Sequence, residues 1–367
     1  MKIGIVTFHF AHNSGAMLQC FALQTKLGLM GHEVEVIDYR PDYHVKIYKA
    51  WKSPLEQHSL KGAVRAMSSN IHYAGRKERA GRFLEFESEF HKSALIKDAD
   101  NELLGSYDAL ICGSDQIWNP KLTNGKFDPA YFGVFKGFTG KRIGYAVSTG
   151  EYDFVSDIDV FSSLSEGMDS ISAREKKTSD RLSEILGRTI ADVPDPTLLI
   201  DKEEFRRLED KEMKLPEDYL LVYLLQNNEN AEKMVAEYKR LYPDRKVIDM
   251  SPNVRTEGVD IRMRYIGPRQ FLRLIDSAGA VVTNSFHGSV FSLTFGKRVS
   301  ILPHRSRNER IVNLLEALDC SCFFADKTED FLNIIGSEVP SGKIDESIRK
   351  VRVKGETFLL GALKDAD

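Results

Sequence analysis

The feature that most constrains this chain is a switch in hydrophobic period, from unbroken apolar runs to helical spacing and back, repeated along its length. Residues 2–8 (KIGIVTF) form a nearly continuous apolar run, the mark of a buried strand. The loop 9-HFAHNSG-15 follows, and residues 16–30 then carry apolar side chains at helical spacing up to Gly31. Residues 33–38 return to strand character. Such a strand–helix–strand unit opens its first turn at the carboxyl edge of a parallel sheet, where open α/β sheets hold ligands.

The alternation continues, with strand-like segments at 109–112, 142–148, 170–174 and 189–193 and a helix over 176–186. The charged segment 201–218 carries no strand signal and reads as a domain boundary. Strands are then expected at 219–225, 246–250, 280–283 and 299–302. Helices are expected over 230–242 and 268–278, the latter with a proline at its start, where a missing N–H is harmless. A chain of 367 residues is long for one core. The pattern predicts an α/β protein of two doubly wound Rossmann-like domains with an interdomain cleft. The expected bounds are 1–205, with a basic helical insertion at 44–95, then 215–340, then a helical tail at 341–367 that packs back on the first domain.

The formal net charge of −3 argues against a general nucleic-acid binder. No stretch approaches the ~18 apolar residues of a spanning helix, and the first residues lack a secretory cleavage pattern, so a cytoplasmic protein is expected. Cys20, Cys112, Cys320 and Cys322 make no CxxC or zinc spacing and read as reduced core thiols. His9 and His12 lack spaced partners, so neither a metal nor a resident cofactor is expected. One region departs from the even balance: residues 46–82 hold nine Lys or Arg against Glu56 and Glu78, with Tyr48 and Trp51 among them. Two readings are open for it, a solvated helical face or a contact for an acidic partner such as the inner face of a membrane or a pyrophosphate-linked substrate.

Function is sought at the carboxyl ends of the strands. These ends carry 9-HFAHNSGAMLQ-19, 112-CGSDQIWNP-120, 172-SAREK-176, 193-VPDPT-197, 283-TNSFHGS-289 and 303-PHRSRNER-310. Gly15 and Gly288 are expected to precede helices and present free amides at a positive dipole end, worth ~0.3–1 kcal/mol to an anion. No GxGxxG or Walker sequence occurs, which disfavours nicotinamide and P-loop enzymes. Arg174, followed by Glu175, is either a surface pair or a guanidinium fork for a carboxylate or phosphate. Arg305, Arg307 and Arg310 are either a second anion contact or a solvated loop. Asp115 and Asn119 suit Asx turns, Asp195 suits a turn between prolines, and Trp118 in an exposed loop would be free to line a sugar cleft.

With these motifs in order, the sequence resembles the polysaccharide pyruvyl transferase family. The matching stretches are GIVTFHFAHNSGAMLQCFALQ, EVEVIDYRP, ICGSDQIWNP, YAVSTG, SAREK, VPDPTLL, TNSFHGSVFSLTFGKRV and Glu309 to Ile311. The resemblance implies a fold similar to GT-B glycosyltransferases. It also implies transfer of a pyruvyl group from phosphoenolpyruvate to a saccharide or lipid-linked oligosaccharide, with phosphate released. On that resemblance His287 and Asp115 are the expected catalytic residues. Arg174, Ser285, Gly288, Ser289, Arg305 and Arg310 are expected to bind the donor, and His12, Asn13, Gly15, Gln116 and Trp118 the acceptor. The family carries Arg-Leu-His where this chain has Ser285-Phe286-His287, which removes an expected anion contact that Arg305 or Arg310 would have to replace. A nucleotide-sugar glycosyltransferase and a non-catalytic saccharide-binding homologue are the alternative readings.

Overall fold

The computed structural model describes residues 1–48, 51, 53, 59–99, 106–154, 156–304 and 308–364. Two parallel sheets organise it. The first runs in the order β2-β1-β3-β4-β5-β6, built from β1 (Lys2–Val6), β2 (Glu33–Val36), β3 (Ala109–Cys112), β4 (Lys141–Val147), β5 (Ser170–Ala173) and β6 (Ala191–Asp192). The second runs β11-β10-β7-β8-β9, from β7 (Leu220–Tyr223), β8 (Val247–Asp249), β9 (Ile261–Arg262), β10 (Ala280–Thr283) and β11 (Arg298–Ile301). Central strands such as β3 and β10 are buried at every position, as parallel strands covered on both faces must be. The edge strand β9 has no counterpart in the sequence reading. Two residues, Ile and Arg, carry no periodicity, and only pairing with β8 defines it.

The Ser14–Leu29 helix is buried around most of its circumference because it lies between the halves. Met17, Leu18 and Phe21 join the same apolar cluster as Phe205, Phe271 and Phe291, with the Phe205 and Phe291 rings edge-on at 4.9 Å. An interface of this apolar character couples the two sheets more firmly than a polar hinge would. A second link comes from the Tyr73–Phe86 helix, whose Arg82 Nη1 donates to Tyr265 O at 2.9 Å. Gly75 is required there, since an added Cβ would lie 2.2 Å from the Tyr265 ring. The Ser341–Leu363 helix returns to the first sheet, placing Leu359 and Leu363 against Ile3, Ile5 and Ala109.

Cys20, Cys112 and Cys320 are buried, but Cys322 is exposed, so the expectation of four core thiols holds for three. Among the described residues no helix is long and apolar enough to cross a membrane.

Candidate functional site

The carboxyl ends of β3, β4, β5 and β6 converge under the first turn of the Phe286–Thr294 helix. Each end is shaped by a local device. After β3, Gly113 adopts φ 128°, and a Cβ there would lie 2.1 Å from Tyr145 O, so the chain can turn at this point only with glycine. Asp115 follows at φ 75°, its Oδ1 accepting from the Gln116 amide at 2.8 Å. In β4 a register shift falls between Gly144 and Val147, and Ser172 Oγ bridges it, donating to Gly144 O and accepting from Ala146 N, both at 3.1 Å. The shift re-aims the strand end so that Ser148 Oγ donates to Glu175 Oε1 at 3.0 Å.

Asp195 is the centre of the arrangement. Its side chain is fully buried, with Oδ1 accepting from Thr197 N and Thr197 Oγ1 at 3.1 and 2.8 Å. Arg174 Nη1 donates to Oδ2 at 2.8 Å, and His287 Nε2 stands 3.6 Å from the same oxygen, an ion-pair distance too long for a hydrogen bond. Burial alone would raise the Asp195 carboxyl, but His287 and Arg174 outweigh it and hold the group well below the usual carboxylate range. Burial likewise disfavours the Arg174 cation, yet Glu175, Asp195 and Asp115 reverse that and raise its pKa. Arg174 Nε donates to Glu175 Oε1 at 3.2 Å, and the guanidinium stands over the Phe286 ring at 5.0 Å. Among the described residues this leaves two buried nitrogens without a hydrogen-bond partner, Arg174 Nη2 and His287 Nε2.

His287 borders a cavity of about 70 Å³ lined from the first half by Asn13, Asp115 and Gln116 and from the second by Ser285, His287 and Arg310, while Arg174, Glu175 and Asp195 border an adjoining cavity of about 280 Å³ that shares Phe286 and Arg310 with it. Asp115 Oδ1 lies 4.0 Å from Arg174 Nη2, and Arg310 Nε lies 3.8 Å from Glu175 Oε1. The His287 ring packs on the first turn of the Ser14–Leu29 helix, where a Cβ on Gly15 would lie 2.1 Å from Nδ1.

Several expectations are corrected. Gly15 and Gly288 do not precede helices but lie in their first turns, and their amides are not free. Gly15 N donates to Asn13 Oδ1 at 3.0 Å and Gly288 N to Ser285 Oγ at 3.3 Å, the side-chain capping that Asn and Ser favour. Ser285 and Ser289 therefore spend their hydroxyls on the helix, Ser289 Oγ donating to Ser285 O at 2.9 Å. What Gly288 supplies is room, since a Cβ would lie 2.5 Å from Thr283 Oγ1.

Trp118 does not face the cleft. It is fully buried, stacked on Phe132 at 4.8 Å, and donates Nε1–H to Tyr131 O at 2.8 Å. Arg174 is neither a surface residue nor an open fork, because two of its three nitrogens are held by Asp195 and Glu175. His12 lines a separate, larger cavity, stacked on Phe83 at 5.2 Å. Arg305 and Arg307 lie outside the described residues. Asp195 and Glu175 are the residues the sequence reading undervalued. Both sit at strand ends, the one signal that could have promoted them.

Two parallel-sheet α/β domains joined across a cleft make this a GT-B-type fold. A protein assigned as a UDP-N-acetylglucosamine 2-epimerase in Listeria monocytogenes shares that fold, at a TM-score of 0.55 and 11% identity over 100% of this chain and 97% of that one. The UDP-GlcNAc 2-epimerase of Neisseria meningitidis gives a TM-score of 0.46 at 12% identity, covering 100% of this chain and 95% of that one. ADP-heptose LPS heptosyltransferase II of E. coli gives 0.38 at 12% identity, covering 97% and 100% respectively. A search of curated protein sequences found no match. The polysaccharide pyruvyl transferase family profile matches residues 13–306, and the chain belongs to that family.

Proposed function

We propose that the protein transfers a pyruvyl group from phosphoenolpyruvate to two hydroxyls of a sugar in a cell-surface polysaccharide or its precursor. The observation that carries this reading is the pair of buried nitrogens, Arg174 Nη2 and His287 Nε2, that have no hydrogen-bond partner among the described residues and stand beside one shared carboxylate. Leaving a buried polar group unsatisfied costs about 1–3 kcal/mol, so two such nitrogens, His287 at one cavity and Arg174 at the adjoining cavity that shares Phe286 and Arg310 with it, favour a ligand rich in acceptor oxygens. Phosphoenolpyruvate offers a carboxylate and a phosphate. Arg310 at the same wall takes part of the role that the family's arginine has at position 285.

The chemistry balances with the residues present. One sugar hydroxyl adds to the enol carbon bearing phosphate while the terminal methylene gains a proton and becomes the methyl group. The second hydroxyl then displaces phosphate at the same carbon and closes the ketal. Of the two hydroxyl protons released, one replaces the proton given to the methyl group and the other leaves with phosphate. His287 supplies the proton to carbon, a step for which a placed acid contributes roughly 10²–10⁴-fold. Asp115 accepts the hydroxyl proton, and Asp195 is a positioning residue that stabilises the charged imidazole.

Calorimetric titration of phosphoenolpyruvate into wild type, His287→Asn and Arg174→Lys tests this. Saturable binding to wild type, weakened about tenfold or more in both folded variants, is the expected result. Absence of binding at millimolar donor, or equal affinity in all three proteins, would overturn the assignment.

A further inference from the structure

Asp195 lies between Pro194 and Pro196, which donate no N–H, so the backbone on either side of it is anchored chiefly through carbonyls. Pro194 O accepts from Tyr145 Oη at 3.1 Å, and Asp195 O and Pro196 O accept from Leu198 N and Leu199 N, both at 2.9 Å. Leu198 ends the one-turn Pro196–Leu198 helix, where the last carbonyls have no partner within the turn itself. Arg352 of the Ser341–Leu363 helix supplies one. Its Nε donates to Leu198 O at 3.1 Å, its Nη2 to Ile200 O at 2.8 Å and its Nη1 to Asp201 Oδ1 at 2.6 Å.

The same helix spans both halves. Ile344 and Ile348, toward its start, join the apolar cluster that holds Val290 and Phe291 of the His287-bearing helix, together with Leu198 and Ile200. Leu359 and Leu363, toward its end, join the cluster of Tyr145, Val193 and Leu199 at the first sheet. Arg352 falls between these two contacts. Gly355, about one turn further on, lets the helix close on the Asp195 turn, since a Cβ there would lie 2.5 Å from Tyr145 Oη, 2.6 Å from Leu199 Cδ2 and 3.2 Å from Pro194 Cγ. Arg352 lines neither of the two site cavities, so it can act on them only through the turn it holds.

We propose that Arg352 is a positioning residue, and that the Ser341–Leu363 helix is a strap that sets Asp195, from the first half, against His287, from the second. Asp195 Oδ2 stands 3.6 Å from His287 Nε2 and 2.8 Å from Arg174 Nη1, so a shift of the turn disturbs the imidazole and the guanidinium together. Releasing Leu198 O and Ile200 O frees the turn at the end opposite Tyr145, where no other side chain of the strap holds it by a hydrogen bond among the described residues. The effect on the donor rests on pyruvyl transfer at His287, whereas the geometric role of the strap stands on the packing alone.

The test is made on the full chain with three variants. Arg352→Gln has a shorter amide that cannot hold both carbonyls, Arg352→Lys keeps a long cationic donor, and Lys350→Gln loses only the exposed pair with Glu346. The readouts are the His287 ring resonances in histidine-labelled NMR, assigned by their absence from His287→Asn, and the calorimetric affinity for phosphoenolpyruvate. Arg352→Gln is expected to move the His287 resonances and to weaken donor binding about tenfold. Arg352→Lys is expected to recover part of both, and Lys350→Gln to match wild type. Unmoved His287 resonances in folded Arg352→Gln, or wild-type donor affinity in it, would overturn the proposal. If Arg352→Gln does not fold, Gly355→Ala takes its place, because its methyl presses on Tyr145 and Pro194 while Ala favours the helix, and the same two readouts decide. Should phosphoenolpyruvate fail to bind wild type, the pyruvyl-transfer reading falls and the resonances alone judge the strap.

Discussion

Changing Gly15 to Ala should disable the site through a single methyl group. Gly15 belongs to one half of the molecule and His287 to the other, and they touch. A Cβ at position 15 would lie 2.1 Å from His287 Nδ1, 2.3 Å from Cγ and 2.6 Å from Cε1. Because Cγ is the base of the ring, rotation about the ring bond gives no relief, and the imidazole has to retreat by more than about 1 Å to restore normal contact. Retreat is blocked by Asp195 at 3.6 Å and by the Phe286 ring, whose centroid lies 5.2 Å away. A misplacement of about 1 Å in a reacting group costs roughly 10²-fold in rate. Stability should change far less, since overpacking costs about 1–3 kcal/mol while Ala in a helix regains about 1 kcal/mol over Gly. Gly28→Ala in the same helix is the control, because a Cβ there meets nothing within 4 Å. The assays are phosphate release from phosphoenolpyruvate, calorimetric donor affinity and Tm. Gly15→Ala is expected to lose about 10²-fold in turnover with a Tm within a few degrees of wild type, and Gly28→Ala to match wild type or exceed its Tm. Wild-type turnover in a folded Gly15→Ala protein would refute the idea that this contact positions His287.

Two further outcomes are expected. Burial, reinforced by the neighbouring His9 and opposed by Asp115, lowers the His44 imidazole from 6.5 to about 4. The unfolded chain then binds the extra proton first, so stability is complete above the unfolded value and falls by roughly 3 kcal/mol as pH drops through that window. His44→Phe, which keeps the ring contacts to Phe8 and Phe10 at 4.6 and 5.2 Å, should flatten this part of the profile in urea titrations, and an unchanged slope would reject the assignment. On the Leu60–Asn70 helix and just beyond it, Val64, Met67 and Ile71 are 65%, 63% and 81% exposed, close in sequence to the exposed Trp51 and within the basic stretch 46–82. This apolar and cationic surface is expected to seat on anionic lipid, with vesicle co-sedimentation that salt weakens and that Ser at all three positions abolishes. Sedimentation unaffected by the triple change would assign the face to something else.

Much of this protein was legible from local periodicity. Residues 109–112, 176–186 and 280–283 were readable to the residue because a buried strand and an amphipathic helix leave their period in the chain. The capping roles of Asn13 and Ser285 were also within reach. Both are preferred N-cap residues ahead of an apolar helix, and that preference already implied that the amides at Gly15 and Gly288 were taken. The site was legible as a set of strand ends, since a parallel sheet brings its carboxyl edges together whatever the loops contain.

What the chain could not disclose is which side chains those ends turn inward. Trp118 reads as a loop aromatic, but a neighbouring cluster of Phe127, Phe132 and Phe161 draws it into the core, where its area is better buried than exposed. Asp195 reads as a turn former, yet Arg174 and His287, 21 and 92 positions away by their numbers, supply the charges that keep it ionised. Arg79 reads as one cation among nine in a basic stretch, and its burial beside Phe83 and Tyr223, with no carboxylate paired to it among the described residues, shows only when the helix meets the second half. Hydrophobic period and capping are properties of neighbours in sequence, so the chain carries them openly. Charge compensation and close contact, such as His287 on Gly15, are properties of neighbours in space, and they arise only when the two sheets are packed together.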